Sequence, residues 1–302
     1  VSNSGVLVIA GATASGKTQL AIDLAREFDA EIVGADSRQI YRGMPIGTAA
    51  PSREQLATVP HHLIGFLDPR ERYSAARYAS DGLDAIEAIH NRGRRAIVVG
   101  GTGFYIRALI GGIVLAPQYD EAMRQRLARE ALLHEPAFLH AWLEQRDPAR
   151  ARALHPSDTY RVLRALEIAL ADKQVVRQGP MRTLASDGAA WLLAFLDTPW
   201  AVIDRRIAER TKAMLGAGLV DEAERIGNDA IAATAVGYPQ AFAYLRGWCT
   251  QRELCASLAR ATRRYARRQR AWFRSEPATM WLAPELVASA VREKLGWSAK
   301  RE

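Results

Sequence analysis

Cysteine is almost absent from this chain: in 302 residues only Cys249 and Cys255 carry a thiol. Their spacing makes neither a CxxC redox pair nor a metal site, so both are read as reduced packing residues of a cytoplasmic protein. Long apolar runs are missing too. The run Val6 to Ala10 is too short for a bilayer span and leads straight into glycines, so neither a signal peptide nor a transmembrane segment is expected. Lysine is scarce, with only five among 41 basic residues. Acids are outnumbered, 33 against 41, which leaves a formal charge of +8 and a pI near 9.8 and points to an anionic partner. The imbalance is local: eight arginines lie between Arg252 and Arg274, with Glu253 as the single opposing acid. Repeats and low-complexity tracts are absent, and the 49% hydrophobic content is ordinary for a chain with a real core.

What is present is an alternation of buried-strand and helix patterns. Short apolar runs at Val6 to Ala10, Ile32 to Ala35, Ala96 to Val99 and Trp191 to Leu196, with a last one near Thr279 to Leu282, predict strands of a mostly parallel sheet. Helical patterns at Lys17 to Phe28 and Ala75 to Asn91 separate them, the second stopping at Gly93. The fold class is therefore α/β, a parallel sheet core flanked by helices. From 117 to 156 the strand signal vanishes. Amphipathic stretches at Asp120 to Leu133 and Pro136 to Gln145 predict a small all-helical insertion domain, leaving 1–116 and 157–302 as the core. A further helix is expected over Asp158 to Leu170, and Gln178 to Gly188 reads as a mobile loop.

The most specific motif is Gly11-Ala12-Thr13-Ala14-Ser15-Gly16-Lys17-Thr18, a G-x-x-x-x-G-K-[ST] P-loop between a strand and a helix. Its glycines let backbone N–H groups wrap a diphosphate or triphosphate, Lys17 adds a point charge, and the Thr18 hydroxyl suits Mg²⁺. The strand Arg95 to Val99 lacks the acid that a Walker-B ATPase or kinase would carry and runs instead into Gly100-Gly101-Thr102-Gly103. That segment is either a second set of backbone donors or a tight turn capped by Thr102. At the carboxyl end of the second strand, Asp36 should stand beside the cradle. It can hold Mg²⁺ through water, take a proton from a nucleophile, or merely cap a helix. Ser37 and Gln39 follow, a hydroxyl and an amide suited to phosphate, sugar or adenine. The residues alone leave open a P-loop kinase of a small metabolite and an RNA-binding module with an arginine face.

Taken together, the P-loop, Asp36-Ser-Arg-Gln-Ile-Tyr-Arg42, Pro60-His-His-Leu-Ile64, Gly100-Gly-Thr102, Arg161-Val-Leu-Arg-Ala-Leu-Glu-Ile168, Gly218-Leu-Val-Asp-Glu222, Val236-Gly-Tyr238 and the arginine-rich Thr262 to Arg274 resemble the tRNA dimethylallyltransferase family over nearly the whole chain. The resemblance implies a P-loop NTPase-like core and transfer of a dimethylallyl group from dimethylallyl diphosphate to N6 of the adenosine 3′ to the anticodon, position 37, in tRNAs reading codons that begin with U. Diphosphate is released, and no ATP hydrolysis is needed. By the same resemblance Gly11, Thr13, Ala14, Ser15, Gly16, Lys17 and Thr18 hold the donor's diphosphate, Thr18 binds Mg²⁺, Asp36 is the general base and Arg210 neutralises the leaving group. Asp36, Ser37, Arg38, Gln39, Thr102, Arg124, Tyr160, Arg161, Arg164, Arg263, Arg264, Arg267 and Arg268 match positions that contact tRNA, and the insertion domain would meet the anticodon region. A cytoplasmic monomer with no membrane partner is expected. The sequence departs from the family at Ala12, usually Pro, at Ala50, usually Lys, and at Thr234 and Pro239, where basic residues are common.

Overall fold

The computed structural model describes residues 5–111, 121–171 and 182–300. The chain packs as two units, Val1–Ile113 with Arg182–Glu302, and Val114–Met181.

Among the described residues the first unit is built on six parallel strands in the order β3-β2-β4-β1-β5-β6. In chain order they and their helices are β1 (Val6–Ala10), α1 (Lys17–Phe28), β2 (Ala30–Gly34), α2 (Arg53–Thr58), β3 (His61–His62), α3 (Ala75–Asn91), β4 (Arg95–Gly100) and α4 (Gly103–Ile110). β1 is buried on both faces, as a central strand of a covered parallel sheet must be, which is why its sequence reads as an unbroken apolar run rather than an alternation. Leu7, Ile9, Ile32, Ile97 and Ala194 share a cluster with Leu24 and Phe28 of α1 and with Val287, Val291 and Trp297 near the end of the chain. α3 and α4 pack on each other, with Tyr78 stacked on Tyr105 at 4.4 Å between ring centroids.

Register decides where function can sit. Ala10 pairs with Gly100 of β4, and Gly34 of β2 pairs with Val99. The segments leaving β1, β2 and β4 therefore emerge side by side at one end of the sheet, the place where ligands bind in such folds.

The second unit holds α5 (Glu121–Leu133), α6 (Pro136–Arg146), α7 (Pro148–Arg152) and α8 (Thr159–Leu170) around Leu127, Leu139, Leu143, Ala151, Val162, Ala165 and Leu166. The expected boundary at 156 falls inside this unit. α8 turns Val162, Ala165 and Leu166 onto Leu139 and Leu143 of α6, so it belongs with the helices before it. α7 was not expected; Asp147 caps it by accepting from the Arg150 N–H at 3.1 Å, and Pro148 opens it. Asp120 and 178–181 of the expected loop lie outside the described residues. From Arg182 to Gly188 the loop is pinned: Thr183 and Ser186 exchange hydrogen bonds, and Arg182 reaches Asp187 at 2.9 Å and Glu87 at 3.3 Å.

The chain then returns to the first unit through β5 (Trp191–Leu196), α9 (Trp200–Gly216), α10 (Leu219–Ile226), α11 (Tyr238–Leu245), α12 (Gln251–Arg274), β6 (Thr279–Leu282) and α13 (Val287–Leu295). Among the described residues no helix is long and apolar enough to cross a membrane.

Candidate active site

The loop from Gly11 to Gly16 joins β1 to α1 and turns back on itself, the Ser15 N–H donating to the Ala12 carbonyl at 3.1 Å. Ala14 and Gly16 have φ of 65° and 96°, the left-handed geometry that turns successive N–H groups inward. Gly16 occupies the N-cap of α1 without any side-chain cap, so the first-turn N–H groups remain available to an anion. Gly11 leaves room for the Ser15 hydroxyl, since a Cβ there would lie 2.7 Å from Ser15 Oγ. That hydroxyl is buried and has no hydrogen-bond partner, a donor placed where a phosphate oxygen would satisfy it.

Cations converge on this loop. Lys17 Nζ donates to the Ala12 carbonyl at 2.9 Å. Burial pulls its pKa down to about 8; the Asp36 charge opposes that shift and Arg210 adds to it. From α9, Arg210 donates to Thr13 Oγ1 at 3.2 Å, and Arg206, one turn earlier, donates to the Ser15 carbonyl at 3.1 Å and the Ala14 carbonyl at 3.4 Å. Burial, then the Arg206 charge, lowers the Arg210 pKa. Crowded cations held partly out of water are stabilised by an anion among them.

The underside of the loop is apolar: Ala12 and Ala14 cluster with Ile203 and Ile207 of α9 and with Ala259 and Ala266 of α12. A polar clamp from α12 completes it. The Thr13 N–H donates to Gln269 Oε1 at 2.8 Å, and Gln269 Nε2 donates to the Gly101 carbonyl at 3.0 Å.

Beside the cradle, Asp36 follows β2 and accepts the Arg38 N–H on Oδ1 at 2.9 Å, so it stands at a turn and caps no helix. Thr102 Oγ1 accepts the Ser37 N–H at 2.9 Å and donates to Ser37 Oγ at 3.2 Å. It therefore ties the ends of β2 and β4 together rather than capping α4, which removes the capped-turn reading of this segment. The absence of an acid at Gly100, the last residue of β4, also has a steric reason: a Cβ there would lie 2.0 Å from the Ala35 carbonyl oxygen. Gln39, expected to present its amide to a base, spends Nε2 on the Thr48 and Ala49 carbonyls at 3.2 and 3.0 Å.

A cavity of about 440 Å³ opens between the loop and the segment after β2. Its lining includes Thr13, Ala14, Gly16, Lys17, Thr18 and Arg210, then Asp36, Ser37, Arg38 and Gln39, and the apolar surfaces of Met214, Val236, Leu258 and Tyr265. Charged and apolar lining in one volume suits a ligand that is part diphosphate and part hydrocarbon.

The arginine stripe of α12 divides. Arg268 lines the cavity and lies over the Tyr265 ring at 5.7 Å, Arg267 covers Trp200 at 5.1 Å, Arg263 is paired with Asp204, and Arg264 is exposed. In the helical unit Arg124 and Arg164 both reach the buried carboxylate of Glu167, at 3.7 and 2.6 Å. Arg161 pairs with Asp158 at 3.3 Å, while Tyr160 is 68% exposed. The sequence reading missed Gln269, Arg206 and the cavity face of Tyr265. Tyr265 and Gln269 lie one turn apart, and that spacing was the available signal that both face inward.

Residues 39–276 match the family model for IPP transferase. The chain is 46% identical over 298 residues to the tRNA dimethylallyltransferase of an Anaeromyxobacter species, covering 96% of each, and 42% identical over 287 residues to that of Geobacter sulfurreducens, covering 93% and 92%. Among solved structures it resembles the full-length tRNA isopentenylpyrophosphate transferase of Bacillus halodurans, with 34% identity, a TM-score of 0.70 and 97% of each chain covered. A eukaryotic dimethylallyltransferase captured acting on tRNA gives a TM-score of 0.74 at 26% identity, covering 96% of this chain and 76% of that one.

Proposed function

The chain belongs to the IPP transferase family, and from that premise we propose that it moves a dimethylallyl group from dimethylallyl diphosphate to N6 of the adenosine 3′ to the tRNA anticodon. The observation that carries the reading is the cavity that Asp36 shares with the P-loop, Lys17 and Arg210, with Arg206 hydrogen-bonded to the same loop.

In the reaction the bond between the allylic carbon and the diphosphate oxygen breaks, the carbon bonds to N6, and N6 gives up a proton. An allylic diphosphate ionises readily, so the protein's task is to hold the departing charge, align the amine and remove the proton. Lys17, the α1 N-terminus, the Thr13 and Ser15 hydroxyls and Arg210 would hold the diphosphate. The Asp36 carboxylate, oriented through Oδ1 by the Arg38 N–H, would take the N6 proton on its other oxygen. Ser37, Gln39 and Thr102 would shape the side on which the base arrives, and Arg38, Arg263, Arg264, Arg267 and Arg268 would meet the RNA backbone. In the helical unit, the expected RNA contacts Arg124 and Arg164 are engaged with the buried Glu167, and the exposed Tyr160 and Arg161 would meet the RNA first.

Mg²⁺ fits the donor set. Among the described residues no group of three His, Cys, Asp or Glu could hold a metal, so Thr18 would hold the ion with Asp36 through water and the ligand's own oxygens. When bound, it would neutralise diphosphate charge. The free, half-buried Cys249 and Cys255 support a reducing, cytoplasmic setting.

Incubation with unmodified tRNA, Mg²⁺ and labelled dimethylallyl diphosphate, followed by nucleoside analysis, tests the reading. Label on the adenosine beside the anticodon supports it; ATP turnover on a small acceptor instead would replace it with a kinase.

A further inference from the structure

Glu222 lies on α10, fully buried, outside the cavity and unused by the chemistry above. An interior carboxylate persists only when its lone pairs are taken up, and here donors converge on it. Oε1 accepts the Gly47 N–H at 2.7 Å and the Tyr238 hydroxyl at 2.8 Å, and Oε2 accepts the Ile46 N–H at 3.0 Å. The segment it grips is the one whose next two carbonyls, Thr48 and Ala49, receive the Gln39 amide. Gly47, Thr48, Ala49 and Gln39 all line the cavity. The grip is also steric: a Cβ on Gly47 would lie 2.6 Å from the Tyr238 ring, so segment and ring are in direct contact. Ala49 has φ of 51°, a strained conformation for alanine that the surrounding contacts must hold.

We propose that Glu222 is a positioning residue for the acceptor side of the site: with Tyr238 it fixes Ile46 to Ala49, and that segment fixes Gln39 against the incoming base. The inference rests on the prenyl-transfer reading. It concerns one wall only, because the P-loop is held by Gln269, Arg206 and Thr198 through separate hydrogen bonds.

Glu222→Gln is the informative variant. It keeps the shape but replaces one acceptor oxygen with an NH₂ group, so in either amide orientation one backbone N–H faces another donor. The expected result is a KM for tRNA raised about tenfold, with the KM for dimethylallyl diphosphate within about twofold of wild type. In a Gln39→Ala background the same change should add little, because both act through one chain of contacts. Tyr238→Phe, which removes one donor and spares the backbone pair, should shift the tRNA KM in the same direction by less. Equal rises in both KM values, or effects of Glu222→Gln and Gln39→Ala that simply multiply, would overturn the inference while leaving prenyl transfer intact. A wild-type protein that transfers no prenyl group would overturn the functional reading itself.

Discussion

Gln269 holds the Thr13 backbone from the far end of the sequence, accepting its N–H on Oε1 at 2.8 Å while its amide nitrogen donates to Gly101 at 3.0 Å. One buried amide thus sets the spacing between the anion loop and the turn after β4.

Gln269→Leu should leave the Thr13 N–H and the Gly101 carbonyl unpaired in the interior. A loss of about 1–3 kcal/mol in stability is expected, with a fall in kcat of about tenfold or more, because the cradle loses its spacing. Denaturant unfolding and steady-state kinetics check this; a variant equal to wild type in both would show that the clamp is incidental.

Asp36→Ala should abolish transfer, with kcat falling by at least about a hundredfold, while leaving tRNA binding largely intact. Filter binding and single-turnover transfer separate the two. Wild-type turnover would remove Asp36 from the role of base.

Lys17 gives a pH dependence with a definite sign. Its folded pKa, about 8, lies below the ordinary 10.5, so between those values the unfolded chain holds a proton that the folded one has released. Stability should therefore rise with pH across that window. Diphosphate acts oppositely: it favours the charged lysine, so binding near pH 8 should take up a proton and weaken as pH rises further. Calorimetry in two buffers of different ionisation enthalpy reads this directly; heats independent of buffer in wild type, or a buffer dependence that survives unchanged in Lys17→Met, would contradict it.

Glu31 on β2 is buried against Arg92 at 2.6 Å and His62 at 2.7 Å. Burial alone would raise its pKa, yet hydrogen bonds from Arg92 and His62, with their charges, bring it below the ordinary value of 4.5. Its contribution is present above that value and lost as pH falls through the lowered one. Glu31→Gln should flatten the stability curve on its acid side, below the ordinary value of 4.5, as measured by thermal melts; an unchanged acid limb would assign that loss to other carboxylates.

Where local rules suffice, the fold was legible. The predicted bounds of α1 and α3 match the structure because periodicity, Gly16 at one start and Ser74 capping the other state them outright. The P-loop and Asp36 converge as expected because strand register brings β1 and β2 to the same edge of the sheet through β4. The two-residue β3 was invisible, since His61–His62 carries no period, and α8 was placed in the wrong unit because an amphipathic face does not name its partner. Glu222 and Gln269 escape notice for a related reason: a polar residue on a helix is ordinarily a solvated one, and only tertiary packing reveals that these are buried and hydrogen-bonded.

The apolar floor of the P-loop has a consequence for how the protein is made. The loop begins at residue 11, but its floor comes from Ile203, Ile207, Ala259 and Ala266, its counter-charges from Arg206 and Arg210, and its clamp from Gln269. A nascent chain that has cleared the ribosome only to its midpoint owns the phosphate motif but neither the surface it rests on nor the cations that tune it. Donor binding should therefore arrive late and all at once during synthesis, and fragments ending before α12 should carry the motif without the affinity.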